Sequence, residues 1–208
     1  MEHFDLVVIG GGPSGYAGAM RAVDFRKRVL LIEKHRVGGA GVYDGVLTSK
    51  TMWEHSMRVS TIREAVPGFQ TDYRDVLRVV DEAVAERKEQ MEQHLHLLAT
   101  AVEKDIFHFV HGTARFVDAH TVEIALPDGT KRMVTADYIL VATGSRPRYI
   151  PNIPIDEETI VTSDGIRNFT DFPESMVVLG AGVIGCEFAT IFSNYGRTKV
   201  FLIDKADR

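Results

Sequence analysis

One pattern occurs twice in this chain of 208 residues. The apolar run Leu6-Val7-Val8-Ile9 leads into Gly10-Gly11-Gly12-Pro13-Ser14-Gly15. A stretch rich in small residues follows, and then a second apolar run, Val29-Leu30-Leu31-Ile32, that ends in Glu33. Farther on, Val177-Val178-Leu179 leads into Gly180-Ala181-Gly182-Val183-Ile184-Gly185, and Val200-Phe201-Leu202-Ile203 ends in Asp204. The copies stand 170 positions apart at the first glycine and 171 at the acid, so their internal lengths nearly match. Short β-branched apolar runs mark strands buried on both faces, and the segment Pro13 to Lys27 between the first pair reads as a helix.

Each part of the pattern has a mechanical reason. Gly10 permits the tight turn, Gly12 lets a pyrophosphate approach the backbone, and Gly15 lets helix and strand pack closely. The helix N-terminus offers free N–H groups and partial positive charge to a phosphate. Glu33, 18 positions beyond Gly15, can accept hydrogen bonds from ribose hydroxyls. A lone G-x-G-x-x-G is weak. The full strand–loop–helix–strand–acid context, present twice, predicts two dinucleotide sites. Asp204 ends the second strand, where an acid favours the hydroxyls of NAD and repels a 2′-phosphate, so NAD(H) is expected over NADP(H). Arg208 follows too late to weigh in that choice.

Between the copies, Thr48 to about Ala65 has a helical pattern carrying Met52, Trp53, Met57 and Ile62. Pro67-Gly68 breaks it, and a longer helix is predicted from Tyr73 to Val102. The charged residues Asp81, Glu82, Glu86, Arg87, Lys88 and Glu89 read as its solvated face. His94, His96, His108, His111 and His120 form no ligand spacing, so no metal site is expected. Short strands are predicted at Ile106 to Val110, Arg115 to Val117 and Thr121 to Leu126. After the turn Pro127-Asp128-Gly129, two further strands are predicted at Lys131 to Thr135 and Tyr138 to Ala142. Thr143 and Gly144 close the last of these, as suits a loop over a ligand at the carboxyl edge of a parallel sheet.

Pro147, Pro151 and Pro154 mark a stiff linker. The expected class is α/β. A Rossmann-like domain occupies residues 1–150, with a helical excursion over about 48–102 and a small β segment. The start of a second Rossmann-like domain occupies 151–208. A strand, a helix and one more strand do not complete that second fold, so the chain is expected to be the N-terminal part of a longer protein. The net charge of −5 gives no footprint for nucleic acid. The most apolar window, Met176 to Cys186, is too short and glycine-rich to span a bilayer. The first strand begins almost at once, leaving no room for a secretion signal, and a cytoplasmic address is expected. The single cysteine, Cys186, rules out an intrachain disulfide and an all-cysteine metal site.

Taken together, these motifs resemble the N-terminal part of the pyridine nucleotide–disulfide oxidoreductase family, flavoproteins with two dinucleotide-binding domains. The likeness covers essentially the whole chain. Gly10 to Gly15 with Glu33 resembles the FAD fingerprint, Gly112-Thr113-Ala114-Arg115-Phe116 the segment along the adenine, and Ala142 to Pro147 the motif closing the FAD domain. Gly180 to Glu187 resembles the NAD(P)H fingerprint. The resemblance implies FAD contacts at Gly10, Gly12, Pro13, Ser14, Gly15, Glu33, Lys34, Gly38, Gly39, Ala40, Gly41, Lys50, Thr113, Ala114, Thr143, Gly144 and Ser145. It implies nicotinamide-nucleotide contacts at Gly180, Gly182, Val183, Ile184, Gly185, Glu187 and Asp204. It also implies catalytic roles for Lys50, beside the flavin, and for Glu187, which would orient it by an ion pair. From position alone, Lys50 could equally be a surface lysine and Glu187 an exposed helix residue. The family's partners are small-molecule nucleotides, and its full-length members are homodimers.

The segment Val37 to Lys50 has neither helical nor strand period and carries four glycines. By composition it is either a surface loop before a helix or a place where backbone must approach a ligand. The family's disulfide reductases carry two cysteines here, and the resemblance puts Gly41 and Val46 at those positions. Neither can be a thiolate. Within the family the motifs are most similar to the transhydrogenase branch, whose flavin passes hydride between nucleotides without that pair. Dihydrolipoamide dehydrogenase is a close relative. A diaphorase using a quinone or other small oxidant is the alternative enzyme. A nucleotide-binding module without turnover is the reading from another class, because the family's further FAD contact and acid–base histidine lie beyond Arg208.

Overall fold

The computed structural model describes residues 1–102 and 105–205; Arg208, set aside above, lies outside them. The chain packs as two units, one formed by Met1–Tyr43 with Glu86–Arg146, the other by Asp44–Ala85 with Pro147–Arg208. This division shares the helical excursion between the units, whereas the linker prolines alone suggested a single break.

The first unit is built on strands β1 (Glu2–Ile9), β2 (Val29–Glu33), β3 (Phe107–His111), β4 (Thr113–Phe116), β5 (Thr121–Ala125) and β6 (Lys131–Val141). They form one sheet in the order β3-β2-β1-β6-β5-β4. Strands β3, β2, β1 and β6 pair in parallel, β5 pairs antiparallel with β6, and β4 antiparallel with β5. Register is set at the fingerprint end, where Ile9 lies opposite Ile32 and Val141. Every residue of β2 is buried, as its unbroken apolar run requires. Phe4, Val7, Ile9, Leu30, Ile32, Val122, Ile124 and Val134 make the core.

Helix α1 (Pro13–Asp24) crosses from β1 to β2 with Pro at its start, where a missing N–H costs nothing. It buries Gly15, Ala19 and Val23. The small stripe is required by proximity. A Cβ on Gly18 would stand 2.4 Å from Leu140 Cδ2, and one on Gly15 would stand 1.8 Å from the Gly10 carbonyl oxygen.

In the second unit, helix α3 (Val46–Ala65) packs on helix α5 (Val183–Tyr195), which joins β7 (Ser175–Leu179) to β8 (Lys199–Ile203). These two strands pair in parallel. Unlike β2, β8 is largely exposed, including Phe201, Leu202 and Ile203. Tyr73 anchors an aromatic cluster: its ring meets Phe172 edge-on at 4.9 Å, and its hydroxyl donates to the Ile166 carbonyl at 2.8 Å.

Three local expectations change. The segment 37–50 contains a four-residue helix, α2 (Gly39–Val42), and α3 begins at Val46 rather than Thr48. The strands expected at 131–135 and 138–142 are one strand, β6. It stays extended through Ala136 and Asp137 because its pairing passes from β5 to β1, with Phe4 opposite Ala136. The long helix is α-helical over Tyr73–Leu97 (α4) and continues as a π-helical segment over Leu98–Val102.

Adding one methyl group at Gly15 forces backbone against backbone at the tightest point of the first unit. Gly15→Ala is expected to cost about 1–3 kcal/mol, read as a lower urea midpoint of unfolding. An unchanged midpoint contradicts the packing account.

Candidate functional site

The first glycine turn is a backbone device. Gly10 has φ +107°, and a Cβ there would lie 2.2 Å from the Ala142 carbonyl oxygen. Its N–H donates to the Ile32 carbonyl at 2.8 Å, and the Ala142 N–H donates to the Ile9 carbonyl at 2.8 Å, so the ends of β1, β2 and β6 are tied together. Gly12 is the N-cap of α1 without a side-chain cap, and the space where its Cβ would be is open. Pro13 and Ser14 are exposed. Free N–H groups at an open helix N-terminus form a cradle for an anionic phosphate.

Glu33 is buried at the end of β2. Its Oε2 accepts from the Gly11 N–H at 2.6 Å and its Oε1 from the His35 N–H at 2.7 Å. Each carboxylate oxygen keeps a further lone pair for an incoming hydroxyl. The Gly112 N–H donates to the Glu33 carbonyl at 3.0 Å, which brings exposed Thr113 and half-buried Ala114 to the same strand end. Lys34, Ala40, Thr143, Gly144 and Ser145 are exposed, and Gly144 takes φ +75°.

The glycines of segment 37–50 dock on this turn. The Gly38 N–H donates to the Gly11 carbonyl at 2.8 Å. A Cβ on Gly39 would approach the Gly12 Cα at 3.3 Å, and one on Gly41 would approach Pro13 Cγ at 2.3 Å. Gly38, with φ +100°, is the left-handed N-cap of α2, a conformation that favours glycine. Helix α2 is therefore a tertiary product, laid against the fingerprint by residues that lack side chains.

The second turn reproduces the first. Gly180 has φ +105°, and a Cβ on Gly185 would lie 1.9 Å from the Gly180 carbonyl oxygen. The Gly180 N–H donates to the Ile203 carbonyl at 2.7 Å. Gly182 caps α5 with φ −71° and ψ 179°, against −71° and −176° at Gly12. The Asp204 Oδ2 accepts from the Ala181 N–H at 2.7 Å, the counterpart of Glu33 and Gly11. Beside this turn lies a groove of about 1470 Å³ lined by Gly180, Gly182, Val183, Ile184 and Gly185 together with the 147–173 segment.

Lys50 and Glu187 meet in the second unit. Lys50 Nζ lies 2.6 Å from Glu187 Oε1, and the side chains are 58% and 14% exposed. The pair sits at one end of a polar seam between α3 and α5. The Tyr195 hydroxyl donates to the Met52 carbonyl at 3.1 Å and contacts His55 Nδ1 at 3.1 Å. Asn194 Nδ2 donates to Ser56 Oγ at 3.1 Å, and Arg63 donates to the Asn194 carbonyl at 2.9 Å. Residues 49, 52, 56 and 59 of α3 are buried, while Trp53, Met57 and Ile62 are exposed. Of the four apolar residues that mark α3 in the sequence, Met52 lies on its buried face and the other three do not. Ser49, Met52, Ser56 and Val59, at spacings of three, four and three, were the available signal.

Among the described residues, no group of three or more His, Cys, Asp and Glu comes together as a metal site. Among the same residues, no helix is long and apolar enough to cross a membrane.

Comparison with known proteins places the chain in a family. The family described as pyridine nucleotide-disulphide oxidoreductase matches residues 4–208, and the chain belongs to that family. The soluble pyridine nucleotide transhydrogenase of Vibrio vulnificus (strain YJ016) is 33% identical over 208 residues, covering 100% of this chain and 44% of that protein. The one from Mycobacterium tuberculosis (strain ATCC 25177 / H37Ra) is 34% identical over 212 residues, with the same coverage of 100% and 44%. The chain thus spans less than half the length of the curated relatives it matches. Among solved structures, LpdA of Mycobacterium tuberculosis superposes with a TM-score of 0.85 at 24% identity, over 100% of this chain and 46% of that one. That likeness speaks for the fold alone. The Cu(II) complex of the flavoprotein disulfide reductase RclA from Escherichia coli gives a TM-score of 0.77 at 26% identity, over 100% of this chain and 43% of that one.

Two outcomes test the site's packing. Gly41→Cys is expected to lower the unfolding midpoint by the equivalent of about 1–3 kcal/mol, because its Cβ falls on Pro13; a wild-type midpoint refutes the docking of α2. His55 is held below its ordinary value of 6.5, first by burial and then by the nearby Arg58. Its folded form binds fewer protons than the unfolded chain, so its contribution to stability is complete above about pH 6.5 and is lost as the pH falls through the folded value. The thermal unfolding midpoint should therefore fall from pH 7 to pH 5, and His55→Gln should flatten that slope. Equal slopes in the two proteins refute it.

Proposed function

We propose that this chain is the nucleotide-binding portion of an FAD-dependent pyridine nucleotide oxidoreductase of soluble transhydrogenase type. Residues 1–150 serve as its FAD-binding domain and 151–208 as the beginning of its NAD(P)-binding domain. The observation that carries the reading is the doubled turn: two open helix N-termini, each with an acid bonded to the backbone N–H that follows the first glycine. One nucleotide per turn is what a transfer between a flavin and a nicotinamide needs.

When bound, FAD supplies the acceptance of hydride from one nicotinamide nucleotide and its delivery to another acceptor. The protein supplies position and charge. Gly10, Gly12, Gly15 and the α1 N-terminus would hold the pyrophosphate and Glu33 the ribose, with Lys34, Gly38, Gly39, Ala40, Gly41, Thr113, Ala114, Thr143, Gly144 and Ser145 around them. Gly180, Gly182, Val183, Ile184 and Gly185 would hold the second nucleotide. Asp204, a carboxylate at the ribose position, supports NAD(H) over NADP(H) by repelling a 2′-phosphate. Lys50, its ammonium held by Glu187, is the cation assigned to the flavin.

With Gly41 and Val46 at the thiol positions and Cys186 the single cysteine in the sequence, the family's disulfide chemistry has no nucleophile. Hydride transfer between nucleotides needs none. A cytoplasmic homodimer of the full-length protein completes the proposal.

Adding NADH to the full-length, FAD-loaded protein is expected to bleach the flavin absorption band, and a nicotinamide analogue should then be reduced. No bleaching overturns the reading. Reduction of quinones but not of the analogue moves it to a diaphorase.

A further inference from the structure

Glu187 is the sole charged residue of α5, and both of its carboxylate oxygens are used. Oε1 receives Lys50 Nζ at 2.6 Å. Oε2 receives Ser49 Oγ at 3.2 Å. Ser49 is 7% exposed, whereas the Lys50 side chain is 58% exposed. An exposed lysine facing a carboxylate free to rotate gains little, because the pair must order two long side chains in water. A carboxylate already fixed by a buried hydroxyl loses less on meeting the ammonium, and a hydrogen bond to a charged group outweighs one between neutral groups.

The Ser49 hydroxyl has one proton to give. The Val46 carbonyl, 3.5 Å away, is the farther and uncharged acceptor, so the proton is directed to Glu187. The backbone beneath Ser49 is set as well, since its N–H donates to the Gly45 carbonyl at 2.9 Å in the first turn of α3.

We propose that Ser49 is a positioning residue: its hydroxyl fixes the Glu187 carboxylate, and the carboxylate in turn sets the Lys50 ammonium. Its bearing on turnover rests on the hydride-transfer reading above; its bearing on Lys50 does not. Farther along the seam, Tyr195, Asn194 and Arg63 hold α3 and α5 together through contacts with Met52, Ser56 and the Asn194 carbonyl. Loss of one hydroxyl at Ser49 therefore leaves the helices docked and frees only the carboxylate.

The test compares Ser49→Ala, Ser49→Thr and Glu187→Gln with wild type in the full-length, FAD-loaded protein. The rate at which acetic anhydride labels Lys50 is followed by mass spectrometry, with Lys131 in the same sample as reference. Ser49→Ala is expected to raise Lys50 labelling roughly fivefold, the weight of one net hydrogen bond. Glu187→Gln should raise it at least as far, and Ser49→Thr, which keeps the hydroxyl, should return it to wild type. The rate of NADH-driven bleaching should fall by a similar factor in Ser49→Ala and recover in Ser49→Thr, with the amount of bound FAD unchanged. Wild-type labelling of Lys50 in Ser49→Ala overturns the positioning role. A threonine that fails to restore it shows that volume, not the hydroxyl, matters, and overturns the role too. Wild-type protein that holds FAD but is not bleached by NADH overturns the hydride-transfer reading alone.

Discussion

The contact on which the rest depends is the approach of Gly15 to the carbonyl of Gly10, repeated by Gly185 and Gly180. In each unit a helix begins against the end of a strand with no side chain in between. That closeness leaves the helix N-terminus pointing past the sheet edge with its N–H groups unspent. It also sets the distance at which Glu33 and Asp204 reach the neighbouring backbone N–H. A larger residue at either glycine would change the turn, the acid and the cradle together.

This dependence explains what the sequence made legible. A constraint on backbone geometry can be met only by certain residue types at fixed spacing, so both turns, their strands and their acids could be read directly. The segment 37–50 could not, because α2 has four residues and no period of its own. It is helical because Gly38, Gly39 and Gly41 can lie on Gly11, Gly12 and Pro13, a partner 27 or 28 positions away. The core face of α3 was hidden for a different reason. Its stripe includes Ser49, which donates to Glu187 across the seam, and Ser56, which accepts from Asn194 there, while Trp53 and Met57 face outward, so a count of apolar residues does not locate it. In β6, Asp137 interrupts the apolar run where the strand changes partners, which hides its continuity.

The α3–α5 seam gives the second unit a directional order. At its far end the Tyr195 and Arg63 side chains donate to the backbone carbonyls of Met52 and Asn194, and Asn194 reaches Ser56. Its near end is held by three side chains, Ser49, Lys50 and Glu187. The near end, with side chains on both sides of the contact, lies where the family resemblance assigns the chemistry. The single acid of α5 is legible as a motif residue; its hydroxyl partner is visible only once the two helices are packed.

The docking of Gly41 on Pro13 couples two segments that lie 28 positions apart in the chain. A Cβ at position 41 would stand 2.3 Å from Pro13 Cγ, so any larger residue there meets a steric cost set by the first glycine turn. Pro13 in turn opens α1, and a shift that relieved position 41 would disturb the start of that helix. Substitutions at the two positions are therefore non-additive: what one costs depends on which residue occupies the other.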